Sequence, residues 1–173
     1  MAEIDTEDFF SQQPESSGSD DRLRCRSILV PVDLSTRSEE TAIYAAKLAA
    51  CFECPVTLLH VISLHDYPIN QYPLEYTVPD RYISQYEYAE SEVRNTMKTL
   101  EGHFLSRGLR VRTETRVGSP FEEILTVAEH CAADLIVIGS RGRMGLVGRL
   151  LLGSTAERVI ARSPCPVLVV AGQ

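Results

Sequence analysis

The chain has 173 residues, 44% apolar and 24% charged, which is the make-up of one soluble globular domain and leaves too little chain for two well-buried cores. No apolar run approaches the roughly 20 residues of a membrane helix, and the amino end, MAEIDTEDFF, lacks the basic-then-apolar pattern of a signal peptide, so a cytoplasmic protein is expected. The net charge of −7 is concentrated in residues 1–21, which carry seven acids and no Lys or Arg; the remaining body is near neutral, and that excludes the basic face of a nonspecific nucleic-acid binder.

Residues 1–26 are rich in Ser, Gln, Asp and Glu and read as a disordered acidic tail. Within it, Phe9–Phe10 is either a docking motif for an unknown protein partner or part of a solvated tail. Residues 27–173 read as one domain. Ser27 to Val32 is a short apolar run, a buried parallel strand. Asp33-Leu34-Ser35 is a turn, and Ser35 or Ser38 is placed to cap the next helix, with Glu39 and Glu40 in its first turn. Ala42, Ala45, Ala46, Leu48 and Ala49 form that helix's packing face, and Cys54-Pro55 closes it. Val56 to Ile62 is the second buried strand.

Residues 63–80 hold three prolines and three tyrosines and read as a long loop, a lid or a partner surface. A charged helix follows at about 81–107, stopped by Gly108. Arg110 to Val117 alternates charged with apolar or neutral residues, as a strand at or near a sheet edge does. Ser119 caps the next helix, Pro120 opens it, and it ends near Ala133. Asp134 to Ile138 is the fourth strand. Gly139 to Gly153 is glycine-rich, Ser154 to Arg162 a helix, and Pro166 to Val170 the last strand. Strict alternation of strands and helices predicts an α/β doubly wound domain around a parallel sheet. Such a sheet takes its ligand beyond the carboxyl ends of the strands, where the winding reverses.

The five cysteines are odd in number and lie among regular elements, which is not a disulfide framework. Cys51 and Cys54 have C-x-x-C spacing but no second pair for zinc. They also sit at the carboxyl end of a helix, where thiolates are not activated. These read as ordinary thiols.

The sharpest chemistry is Gly139-Ser140-Arg141-Gly142 followed, after ten residues, by Gly153-Ser154-Thr155. Glycines admit close approach of backbone N–H groups to an anion. Ser154 and Thr155 add hydroxyls, and the amino end of the last helix adds free N–H groups and a positive dipole end. Together they predict a phosphate cradle; the alternative is that the glycines only turn the chain. There is no Gly-Lys-Ser/Thr of a Walker loop, and the glycines do not follow the first strand as a dinucleotide fingerprint requires. Asp33, at the end of the first strand, faces this loop if strands one and four are neighbours. It then accepts from a ribose hydroxyl or an adenine amine, or else serves the turn itself. His60 reads as a satisfied core histidine. Arg141, Arg143 and Arg149 are either phosphate contacts or solvent-facing.

Val30-Pro31-Val32-Asp33, Leu58-Leu59-His60-Val61, Ile138-Gly139-Ser140-Arg141-Gly142, Leu151 to Val159 and Cys165 to Val170, in that order, resemble the universal stress protein (UspA-like) family from about Ser27 to the carboxyl end. The resemblance implies a five-stranded sheet of order 3-2-1-4-5, of the adenine nucleotide alpha hydrolase-like kind, and a homodimer joined through the last strand, 166–170. It also implies ATP binding, with Mg2+ as companion ion. Carried across by position, Asp33 and the Val61 backbone hold adenine or its ribose, beside Pro31 and Val32. Ile138 and Gly139 line the ribose. Arg141, Gly142, Gly153, Ser154 and Thr155 hold phosphates. One departure stands out: ten residues separate Gly142 from Gly153, where the family usually has nine.

The function expected from this is a stress-response or signalling module that binds ATP or another adenine nucleotide. No nucleophile–base pair or metal cluster demands turnover, so the protein is expected not to be an enzyme, with at most slow hydrolysis. Adenylyl-transfer chemistry on the same fold would want an H-x-G-H pair or Ser-Gly-Gly after the first strand, and neither is present. The alternative is a nucleotide-free dimeric interaction protein of the same fold.

Overall fold

A computed structural model describes residues 24–63, 79–140 and 152–171, with residues 79–90 described by their backbone. The acidic tail up to residue 23 and most of the 63–80 loop lie outside the described residues. Among the described residues nine elements alternate: β1 (Ile28–Val32), α1 (Thr36–Phe52), β2 (Val56–Ile62), α2 (Pro79–Leu105), β3 (Val111–Val117), α3 (Pro120–His130), β4 (Leu135–Gly139), α4 (Ser154–Arg162) and β5 (Val167–Val170). The five strands form one parallel sheet of order β3-β2-β1-β4-β5.

β1 sits at the centre because both of its faces are apolar. Ile28, Leu29 and Val30 are wholly buried. Ile28 and Val30 point into one cluster with α1 and α2, built on Ala42, Ala45, Ala46, Ala49, Met97, Leu100 and Phe104. Leu29 points into the other, with Phe121, Ile124 and Val127 of α3 and Val159 of α4. The alanine face of α1 lets that helix lie close on the sheet. Over α4, Arg158 stacks 3.5 Å above the centroid of the Phe121 ring, tying α4 to α3.

β3 is an edge strand, as its alternation predicts. Arg112 and Arg116 both pair with Glu114 on one of its faces. At the opposite edge, β5 keeps Val167 to Val170 half-buried.

Several boundaries differ from the sequence reading for identifiable reasons. Packing reaches back beyond Ser27: Cys25 is buried in the first core cluster, and the Arg26 N–H donates to Asp134 Oδ2 at 2.7 Å. That hydrogen bond holds the Asp134 carboxyl below the usual carboxylate range. α2 begins at Pro79, whose ring suits a first helical position. α1 ends at Phe52 and is closed by Glu53 in the left-handed region, φ 52°. Neither Ser35 nor Ser119 makes a side-chain capping bond, although each occupies the N-cap position. The Ser35 hydroxyl instead donates to the Asp33 carboxylate at 2.7 Å. Among the described residues, no helix is long and apolar enough to cross a membrane.

Two glycines at either end of one turn of chain separate conformation from packing. Gly102 lies inside α2 and Gly108 just beyond it at φ +70°, and a methyl group added at either meets open space. Gly102→Ala is expected to stabilise the fold by about 0.5–1 kcal/mol, and Gly108→Ala to destabilise it by about 1 kcal/mol. Urea unfolding of the two variants checks the opposite signs.

Candidate functional site

Winding reverses between β1 and β4, and the hydrogen-bonded pairing there is short. Residues along a parallel strand aim their N–H groups at alternate neighbours. The Ile28 N–H reaches Pro55 O on the β2 side at 3.1 Å, so Pro31 aims at β4. Proline has no N–H to donate. Pairing of β1 with β4 accordingly stops at Leu29 and Ile136, whereas β1 pairs with β2 as far as Val32 and His60. The carboxyl ends of β1 and β4 therefore run on past their last matched pair.

At the end of β1 the chain turns sharply. Leu34 takes φ 60°, unusual for a branched side chain. The turn is held by Asp33 Oδ1, which accepts from the Ser35 N–H at 3.1 Å, the Ser35 hydroxyl at 2.7 Å and the Ser38 hydroxyl at 2.7 Å. The Ser38 oxygen also accepts from the Asp33 N–H at 3.1 Å. Ser38 is buried, at 4% exposure, although it lies in a helix's first turn. The turn role foreseen for Asp33 is thus taken by one carboxylate oxygen. Behind it, buried His60 hydrogen-bonds the Val32 carbonyl through Nδ1 at 2.9 Å, so that nitrogen carries the proton. This is the satisfied core histidine expected, and it fixes the last carbonyl of β1.

At the end of β4, Ser140 is pinned from both sides. Its N–H donates to Val170 O of β5 at 2.8 Å, and its carbonyl accepts from the Gly153 N–H at 2.8 Å. Residues 141–151 lie outside the described residues, but the chain leaves and returns within one hydrogen bond. Gly153 is the N-cap of α4, and its carbonyl accepts the first helical bond, from Glu157. The free N–H groups of the first turn of α4 therefore stand beside the carboxyl end of β4.

Of the residues singled out in the sequence, Pro31, Val32, Asp33, Val61, Ile138, Gly139, Gly153, Ser154 and Thr155 come to one place. They occupy the carboxyl edge of β2, β1 and β4 together with the start of α4. Pro31 and Val32 are buried, Val61 and Gly139 partly so, and Ser154 is exposed. Arg141 and Gly142, with Arg143 and Arg149, lie outside the described residues, as does the extra residue of the glycine interval. Sequence reasoning missed the two hydrogen bonds between Ser38 and Asp33 and the bridging part of Ser140. The spacing of Asp33 and Ser38 was visible, but their pairing needs the turn at Leu34. Among the described residues, no three metal-ligating side chains gather. The edge fits an anionic nucleotide: backbone donors and a helix amino end on the β4 side, a fixed carboxylate on the β1 side.

Comparison with known proteins agrees with this geometry. The family model of the universal stress protein family matches residues 25–171. Universal stress protein MJ0531 of Methanocaldococcus jannaschii is 37% identical over 145 residues, covering 84% of this chain and 81% of its own. The solved structure of hypothetical protein MJ0577, from the same organism, superposes with a TM-score of 0.69 at 30% identity, covering 86% of this chain and 96% of that one. A universal stress protein from Archaeoglobus fulgidus in complex with dAMP shares the fold at 24% identity, with a TM-score of 0.56, over 83% of this chain and 96% of that one.

The Asp33 turn sets a stability expectation. Ser38→Ala leaves a carboxylate oxygen and an amide short of a buried partner, and is expected to cost about 1–3 kcal/mol in urea unfolding. Ser35→Ala, in the less buried half of the network, is expected to cost less than about 1 kcal/mol. Equal costs would contradict the assignment of Ser38 as the main clamp.

Proposed function

The chain belongs to the universal stress protein family, and from this premise we propose that it binds an adenine nucleotide, ATP with Mg2+ foremost, as a stress-response signalling module. The observation that carries the reading is the convergence at the switch point: the Asp33 turn ends β1, and Gly153 opens α4 beside Ser140 at the end of β4. The dAMP complex of the Archaeoglobus fulgidus relative supports the ligand class. In this reading Asp33 and the Val61 backbone take the adenine or ribose, and Ile138 and Gly139 flank the sugar. Arg141 and Gly142 join Gly153, Ser154 and Thr155 around the phosphates.

Binding shifts which surface the protein presents to partners, and hydrolysis is slow and incidental; the protein is not an enzyme in this reading. It is cytoplasmic and works as a homodimer. The half-buried, apolar edge strand β5 supports that assembly, and light scattering at micromolar concentration is expected to give twice the chain mass.

Calorimetric titration of ATP and Mg2+ into nucleotide-stripped protein tests the reading. Saturable binding is expected, and a Gly142→Val, Gly153→Val double variant is expected to lose it while keeping its melting temperature. No heat from the wild-type chain would overturn the proposal. The ten-residue interval between Gly142 and Gly153 would then favour a nucleotide-free dimeric interaction protein.

A further inference from the structure

Four of the five cysteines stand within a few residues of a strand's start: Cys25 ahead of β1, Cys54 ahead of β2, Cys131 ahead of β4 and Cys165 ahead of β5. Those strands are consecutive neighbours in a parallel sheet. Topology therefore lines the four thiols along the amino edge, at the opposite pole from the candidate nucleotide site. The sheet then sorts them by face. Cys25 and Cys54 lie in the cluster beneath α1 and α2, at 8% and 3% exposure, and Cys131 and Cys165 pack on the α3 and α4 side. Cys25 and Cys54 share one buried cluster at the amino ends of the paired strands β1 and β2, where the Ile28 N–H donates to the Pro55 carbonyl at 3.1 Å.

We propose that Cys25 and Cys54 form a reversible disulfide, a redox modification site that closes a covalent ring around β1, the Asp33 turn and α1. The oxidant is a low-molecular-weight disulfide such as oxidised glutathione. The Cys25 thiolate attacks one glutathione sulfur, the S–S bond of glutathione breaks, and one glutathione thiolate leaves with the electron pair. Cys54 then gives up its proton to that thiolate and attacks Cys25, expelling the second glutathione. Two protein S–H bonds and one glutathione disulfide become one protein disulfide and two glutathione thiols.

Three features set the order and the product. Burial pushes both thiols up, Cys54 to about 12, and the neighbouring Cys54 thiol partly offsets the rise at Cys25, so Cys25 goes first. Cys25 also lies ahead of the first strand, in a segment latched by Arg26 to Asp134 through an ion pair whose arginine is 84% exposed. Fraying of that segment admits the oxidant. The surrounding cluster is apolar and favours a neutral disulfide over a charged metal–thiolate pair.

Incubation of the full chain with oxidised glutathione at mildly alkaline pH, followed by non-reducing digestion and mass spectrometry, tests this. The expected product is a peptide pair linked through Cys25 and Cys54, reversed by dithiothreitol. The oxidised chain is expected to melt about 5–15 °C higher than the reduced one. Cys25→Ala and Cys54→Ala each abolish that shift, and Cys51→Ser keeps it. The peptide assay on the wild-type chain decides the matter even if an alanine variant fails to fold. Recovery of Cys25 and Cys54 as free thiols, with glutathione only on Cys51, Cys131 or Cys165, or with a link between Cys131 and Cys165, overturns the proposal. So does a link that forms only in urea.

Discussion

Everything in this molecule hangs on the burial of β1 from both sides. A strand with Ile28, Leu29 and Val30 all sealed from water must have helices above and below it and strands to left and right. Parallel neighbours need crossovers, and right-handed crossovers put α1 and α2 on one face and α3 and α4 on the other. The chain must therefore wind outward from β1 in one direction and later in the other. The seam between β1 and β4 follows from that reversal.

The seam becomes a site because its two sides end differently. On the β1 side the polar groups are turned inward upon themselves: Ser35 and Ser38 hold one oxygen of Asp33, and His60 holds the carbonyl before it. On the β4 side they are turned outward, because the first turn of α4 has donors that no helical carbonyl can reach. A held carboxylate and a helix amino end thus stand at the carboxyl ends of two strands that no longer pair. This is an arrangement that costs little to keep in place before any ligand arrives.

Much of this was legible in the residues. The runs Ile28–Val32 and Leu135–Ile138 announce buried parallel strands by their unbroken apolarity, and the alternation of Arg112 to Val117 announces an edge. Gly108 announces the end of α2, and its left-handed φ confirms why. What was hidden depends on three-dimensional neighbours. Ser35 has the pattern of a helix cap but turns to a carboxylate two residues back. Cys25 sits in a segment read as part of the acidic tail, yet it packs beside the start of β2 in a buried place. A clamp such as Ser38 carries no local signature, since a serine in a first helical turn is ordinary until Leu34 bends the chain back towards it.

The two margins of the sheet are unlike, and that difference limits how copies can add to one another. β3 presents Arg112, Glu114 and Arg116 locked in mutual pairs, while β5 presents four short or branched apolar side chains and nothing charged. Edge charges oppose strand addition. If two copies join β5 to β5, the enlarged sheet ends in β3 on both outer sides. Every further addition then meets a charged margin, so growth terminates at a closed pair instead of continuing into a fibre.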